Sequence, residues 1–263
     1  MSSADTMDIT DDCIKEIREW FRRKERAETV RHLRVQPDTM PVPESANASP
    51  QIILKEDMQL ELGHPSVGSC SGTLATHDAG LVDDGLVTLV GPDVSETKEK
   101  VLPFAQIAVA CSSDVIEDTC SAMDRVLHTC AQTDGYMLRS VPDLIWARVS
   151  KEAAHSGFSL LEHGSRLLRH LNSRCDALNK CQIYFVTSTR EDVAELNKMI
   201  DPARTKLRKL QTFGRKEDGT YECDTSLDCE ECPEKPVCDT IREVITIRKG
   251  DRIIRIGEDD DNG

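Results

Sequence analysis

Four cysteines near the C-terminus are the residues of this chain whose types and spacing most clearly predict chemistry. Cys229, Cys232 and Cys238 follow a C-x2-C-x5-C pattern, and Cys223 lies just upstream. Two thiolates separated by two residues can bind one metal centre, and four soft sulfur ligands suit an iron–sulfur cluster or a structural zinc. We predict that these four cysteines ligate one centre, with a 4Fe-4S cluster favoured because zinc ribbons usually carry two C-x2-C pairs.

Two disulfides or four free thiols are the alternatives to a metal centre. The N-terminal sequence MSSADTMDITDD is acidic and lacks the apolar segment of a secretory signal, which predicts a cytoplasmic location. In a reducing compartment the 11 cysteines of the chain are expected to be thiols or metal ligands rather than disulfides.

Charge and hydropathy narrow the range of partners. The formal net charge of −14 argues against a nucleic-acid backbone as the ligand, although local basic clusters can still bind small anions. The longest apolar runs, at 86–90 and 107–111, are far too short to span a bilayer. We therefore expect neither a nucleic-acid nor a membrane partner.

The elements that must position these residues begin with an N-terminal helix. Ile14, Ile17 and Phe21 recur at helical spacing, so residues 10–35 predict an amphipathic helix within an arm of residues 1–36. The basic stretch that follows Phe21 could contact an anion, or it could be a solvated helix face. Residues 37–50 are rich in Pro and Ser and predict a linker.

Short apolar strands alternate with helical patterns in residues 51–212. This alternation predicts an α/β domain in layers, with a mostly parallel sheet flanked by helices. The predicted strands are 52–54, 86–90, 107–111 and 182–186, and the predicted helices are 115–130, 141–155, 162–171 and 190–210. Residues 213–257 predict a Cys-rich metal loop followed by a β-hairpin that turns at Lys249-Gly250-Asp251, and 258–263 form an acidic tail.

Several segments resemble a known family. ELGHPS (61–66), DGLVTLVGPD (84–93), LPF (102–104) and RVSKEAAHSGFSL (148–160) occur in this order. Their order and spacing resemble the middle domain of the β subunit of carbon monoxide dehydrogenase/acetyl-CoA synthase, over roughly residues 50 to 245.

The resemblance implies a place in anaerobic one-carbon metabolism. Full-length members of the family assemble acetyl-CoA from a methyl group, CO and coenzyme A at a nickel–iron–sulfur cluster in a further domain. That cluster is held by ligands that include a Cys-Gly-Cys element, and this chain contains no Cys-Gly-Cys. The resemblance therefore implies a stand-alone relative of one module, which is not expected to make acetyl-CoA alone.

The family's middle domain is associated with coenzyme A, and the matching positions here are Arg139, Trp146 and Arg148. Guanidinium groups bind phosphate bidentately, and an indole ring offers a stacking face. Pro142 is expected to begin a helix that carries Trp146. The alternative is that Trp146 anchors the core and both arginines face solvent.

Three functions remain open at the level of sequence. The first is a module that binds coenzyme A, or a corrinoid protein or CO dehydrogenase subunits, and carries an iron–sulfur cluster. The second is a non-catalytic scaffold with structural zinc, and the third is a small electron-transfer iron–sulfur protein.

Two other groups of residues are interpreted as structural. Gly91-Pro92-Asp93 follows a strand without any nucleotide-binding glycine motif, which favours a turn chosen for its geometry. Cys70 lies between His64 and His77 in the sequence, but a small buried thiol is favoured over a Cys–His nucleophile.

Overall fold

The computed structural model describes residues 3–27, 30–35, 52–130, 133–141, 144–210, 214–215 and 221–222. The chain forms two compact units, Met1–Leu210 and Gln211–Gly263. In the second unit, the short strands Gly214–Arg215 and Tyr221–Glu222 pair antiparallel. The predicted linker, the four candidate metal ligands and the predicted C-terminal hairpin lie outside the described residues.

A five-stranded mixed sheet forms the centre of the first unit. From one edge to the other, its strands are Val30–Arg34 (β1), Leu86–Val90 (β4), Leu178–Val186 (β9), Phe104–Ser112 (β6) and Ser69–Thr76 (β3). The β4–β9 and β3–β6 pairs are parallel, whereas the β1–β4 and β6–β9 pairs are antiparallel. The predicted α/β class is confirmed, but the sheet is mixed rather than mostly parallel, since two of its strand pairs are parallel and two are antiparallel.

Helices cover both faces of this sheet. The four long ones are Ser3–Ala27 (α1), Ile116–Cys130 (α2), Leu160–Arg174 (α4) and Arg190–Leu210 (α5). All nine residues of β6 are buried, because Phe104 and Ala108 pack with α2 and α4 while Ala105 and Ile107 pack with α1 and α5. The helices predicted at 115–130, 162–171 and 190–210 are confirmed as α2, α4 and α5.

The N-terminal helix packs into the core of the first unit. Ile14, Ile17, Trp20 and Phe21 are all buried, and the Phe21 ring stacks on Tyr184 with centroids 4.1 Å apart. The helix ends at Ala27, and residues 30–34, which the sequence predicted as helical, form β1 instead. The ladder between β1 and β4 supplies backbone hydrogen bonds that local periodicity does not reveal.

A smaller, four-stranded sheet lies beside the first. In order, its strands are Val101–Leu102 (β5), Met58–Leu62 (β2), Leu144–Ser150 (β8) and Tyr136–Val141 (β7). The predicted helix at 141–155 is wrong, because burial along β8 alternates with a period of two and only Lys151–His155 (α3) is helical. The predicted strand at 52–54 is an irregular segment that leads into a turn.

Among the described residues, no helix is both long and apolar enough to cross a bilayer.

Candidate functional site: the outer face of the small sheet

Arg139, Trp146 and Arg148 lie on one face of the β7–β8 hairpin. Arg139 is the cross-strand partner of Trp146, and Arg148 lies two residues beyond Trp146 on the same strand. Alternate residues of a strand point to opposite faces, so the three side chains share a face. The opposite face carries Ile145 and Ala147 into the core. The structure thus brings the three predicted ligand contacts together on a sheet rather than on a helix.

Trp146 and Arg148 both donate to Glu61 of β2. The indole Nε1 and the guanidinium Nε lie 3.0 and 3.1 Å from the same carboxylate oxygen, Oε1. Arg148 Nη1 also donates to the carbonyl of Ile53 at 2.9 Å, and its guanidinium lies 4.5 Å from the centroid of the Trp146 ring. Glu61 is only 8% exposed. These contacts fix the indole in place and occupy two of the nitrogens that Arg148 could offer to a phosphate.

Exposed apolar side chains occur on β8 and in the segment whose backbone contacts Arg148. Leu144 shares the face with Trp146 and is 50% exposed. Ile52 and Leu54 flank Ile53, whose carbonyl binds Arg148, and they are 72% and 51% exposed. The β8 surface is therefore defined here as Arg139, Leu144, Trp146 and Arg148 with Ile52 and Leu54. Its composition, apolar residues around a Trp–Arg pair, is typical of protein interfaces.

Asp93 of the Gly91-Pro92-Asp93 turn has a structural role. Its Oδ1 accepts from the backbone N–H groups of Val94 and Leu160, and its Oδ2 accepts from the Ser159 hydroxyl at 2.6 Å. Gly91 has φ of +101°, and a Cβ at this position would overlap the backbone nitrogen of Ser188. The turn therefore fixes the start of α4.

Cys70 is not paired with a histidine. It is fully buried, and burial raises the pKa of its thiol to about 12. The Nδ1 atom of His64 contacts Ser66, and that of His77 contacts the carbonyl of Ser112. Such a thiol remains protonated at neutral pH, which fits packing rather than nucleophilic catalysis.

The described part of the chain contains no group of three or more His, Cys, Asp or Glu side chains that could hold a metal ion. Its seven cysteines are free and buried. Cys223, Cys229, Cys232 and Cys238 lie outside the described residues, so their role as ligands stays a prediction.

The structure also contains a pocket that the sequence interpretation missed. It lies between β1 and α4, has a volume of about 550 Å³, and is lined in part by Phe158, His163, Arg166 and Arg169. His163 and Arg166 lie three residues apart on a helix whose inner face is otherwise rich in leucine. Polar residues within such an apolar stripe are the sequence signal that could have revealed it. This cavity is called the α4 pocket below.

Comparison with known proteins identifies the family. A family model described as CO dehydrogenase/acetyl-CoA synthase complex beta subunit matches residues 40–193. The acetyl-CoA decarbonylase/synthase complex subunit beta of Methanopyrus kandleri is 27% identical over 76% of this chain and 43% of its own length. The corresponding subunit of Methanothermobacter thermautotrophicus is 29% identical over 51% of this chain and 29% of its own length. Subunit beta 1 of Methanosarcina thermophila is 32% identical over 58% of this chain and 33% of its own length.

More than half of the chain matches the family model, and the chain belongs to the CO dehydrogenase/acetyl-CoA synthase complex beta subunit family. It spans between 29% and 43% of the length of these three relatives.

Proposed function

We propose that this chain is a module of an acetyl-CoA synthase/CO dehydrogenase complex of anaerobic one-carbon metabolism, and that it docks another subunit through the β8 surface. The family match over residues 40–193 carries the proposal, because those residues include all four strands of the small sheet. The relatives are named as subunits of a complex, which supports a role in assembly.

The β8 surface has the properties of a docking site. Leu144, Ile52 and Leu54 present large exposed apolar groups beside an indole and a guanidinium. Burying such groups on association is favourable by about 25 cal/mol per Å² of apolar area. Because Glu61 fixes Trp146 and Arg148 beforehand, little side-chain freedom is lost when a partner binds. CO dehydrogenase subunits and a corrinoid protein are the expected partners.

Replacing Leu144 by aspartate is expected to weaken docking at least ~10-fold, because a carboxylate at the centre of an apolar contact must be desolvated. Affinity for a purified CO dehydrogenase subunit and for a purified corrinoid protein is measured by surface plasmon resonance. Val115→Asp is the matched control, since Val115 is 52% exposed but precedes α2.

Equal affinities of Leu144→Asp and Val115→Asp would contradict docking at the β8 surface. If the wild-type chain binds neither protein, neither of them is a partner.

Coenzyme A is the second candidate ligand of the same surface. The Trp146 indole, with Arg148 against it and Arg139 opposite on β7, can stack an adenine and bind phosphate. Arg148 already forms an ion pair with Glu61, which makes coenzyme A a weaker candidate than a protein partner. Arg139 is exposed and is the more available cation.

If coenzyme A binds here, losing one arginine–phosphate contact should weaken binding on the order of 10- to 100-fold. Calorimetry with Arg148→Ala and Arg139→Ala tests this, and the Arg139 variant leaves the contact between Arg148 and Glu61 intact. Lys198→Ala, on an exposed position of α5, is the control. Unchanged affinity in both arginine variants would place any coenzyme A site elsewhere.

The metal centre belongs to the same proposal. Four thiolates at Cys223, Cys229, Cys232 and Cys238 match the donor set of a 4Fe-4S cluster, with zinc as the alternative. When bound, a cluster would transfer electrons, whereas zinc would only stabilise the surrounding loop. Both fit the expected cytoplasmic location, where thiols stay reduced.

A further inference from the structure

The α4 pocket is a concave site of ligand size. Its volume of about 550 Å³ lies within the range of known small-molecule pockets. Leu33 of β1 and Val35, which directly follows β1, form one apolar wall, and Phe158 contributes another. Three arginines, Arg34 of β1 and Arg166 and Arg169 of α4, line it together with one carboxylate, that of Glu162.

Arg166 lacks a partner within the part of the chain that the structure describes. No hydrogen bond or ion pair joins its guanidinium to a described residue, although Asp134 and Glu162 are close enough to influence it. Burial lowers the pKa of Arg166, and these two carboxylates act against that shift. A partly buried cation without a bonded counter-charge is unfavourable, and a bound anion would compensate for it.

The floor of the pocket also carries unused hydrogen-bonding capacity. His163 is 2% exposed, and neither of its ring nitrogens has a hydrogen-bond partner among the described residues. Burial, followed by the charge of Arg166, lowers the pKa of His163 to about 3, so the imidazole is neutral and offers one donor and one acceptor. Behind it, the fully buried Tyr136 hydroxyl lacks a partner in the same part of the structure, and the two ring centroids are 4.4 Å apart.

We infer that the α4 pocket binds a phosphorylated small molecule. Arg166 and Arg169 lie three residues apart on α4, which places them about one helical turn apart on adjacent positions of its surface. Guanidinium groups in this arrangement bind phosphate oxygens bidentately, while His163 supplies neutral hydrogen bonds deeper in the cavity. The phosphates of coenzyme A and those of a free metabolite share this chemistry.

The α4 pocket is distinct from the β8 surface. Tyr136, whose ring packs against His163, and Arg139 are three positions apart on β7, so they point to opposite faces of the small sheet. The inference therefore stands independently of the proposed docking and of coenzyme A binding at Trp146.

Calorimetric titration of the full chain with inorganic pyrophosphate tests the inference. We expect Arg166→Met and Arg169→Met each to weaken binding on the order of 10- to 100-fold, since methionine keeps an apolar stem and removes the charge. Arg174→Met is the matched control, because Arg174 is exposed in the last turn of the same helix. Thermal unfolding of every variant confirms that it is folded.

Loss of pyrophosphate binding in both pocket variants, with binding kept in the control, would support the site. No binding by the wild type at millimolar pyrophosphate, or equal binding in all variants, would overturn it. Competition by coenzyme A would identify that molecule as the source of the phosphates, whereas its failure to compete would indicate a free metabolite. Neither result depends on whether the β8 surface docks a protein.

Discussion

Replacing Cys232 by serine is expected to remove most of the iron or zinc that the chain binds. Cys232 is the central ligand of the C-x2-C-x5-C pattern, so its loss breaks both the short chelate with Cys229 and the longer one with Cys238. A serine hydroxyl is a hard, protonated donor at neutral pH and replaces a soft thiolate poorly. Metal and acid-labile sulfide per chain, measured on anaerobically purified protein, give the result directly.

Cys175→Ser is the control for this substitution. Cys175 is a free, buried thiol at the end of α4, in the first unit of the chain. Equal metal content in the wild type and in Cys232→Ser would contradict the metal site, and so would equal losses in Cys232→Ser and Cys175→Ser. Iron with labile sulfide would identify a cluster, and zinc without sulfide would favour the scaffold alternative.

Sequence periodicity predicts the elements whose burial decides their structure. The central strand β6 is buried along its whole length, and its apolar run indicates a strand between two layers. The helices α2 and α5 each carry one strong apolar face. In these elements the local pattern and the packing agree, so the bounds follow closely from the sequence.

The prediction fails where distant residues decide the structure. Residues 30–34 form a strand because β4, more than 50 residues away in the chain, supplies the ladder. The sequence predicts a helix over residues 144–150 because Trp146 and Val149 are three residues apart. In the structure, the burial of residues 144–150 alternates with a period of two. The short segment LIWARVS supports both periods, and only pairing with β2 and β7 selects the strand.

The family resemblance predicts Arg139, Trp146 and Arg148 as ligand contacts from their positions in the sequence. In the structure, cross-strand pairing in the β7–β8 hairpin brings the three residues together. Glu61, which binds two of them, lies 85 residues from Trp146 in the chain, and no local signal connects them. The sequence does not single out Arg166 as a binding residue, because the α4 pocket forms only when β1 packs beside α4.

Segments that carry the family resemblance contact one another in the structure. Glu61 of ELGHPS binds Trp146 and also Arg148, the first residue of RVSKEAAHSGFSL. Asp93, at the end of DGLVTLVGPD, binds Ser159 and Leu160 of that same segment. The resemblance therefore traces two polar contacts: one joins β2 to β8 within the small sheet, and the other joins the turn after β4 to the start of α4.

Replacing Asp93 by alanine is expected to lower the free energy of unfolding by roughly 3 kcal/mol. The carboxylate is 6% exposed and accepts from the backbone of Val94 and Leu160 and from the Ser159 hydroxyl. Alanine removes these acceptors and leaves donors at the start of α4 without partners in a nearly buried position. Urea unfolding followed by far-ultraviolet circular dichroism measures the change.

Asp78→Ala is the matched control for Asp93→Ala. Asp78 caps a short 3₁₀ turn by accepting from the backbone N–H of Gly80, but its side chain is exposed. Water can replace an exposed cap, so we expect this substitution to cost less than about 1 kcal/mol. A loss in Asp93→Ala no larger than that in Asp78→Ala would contradict the structural role of the turn. Asp93 at the carboxyl end of β4 would then have to be reconsidered as a ligand contact, because open α/β sheets bind ligands at such positions.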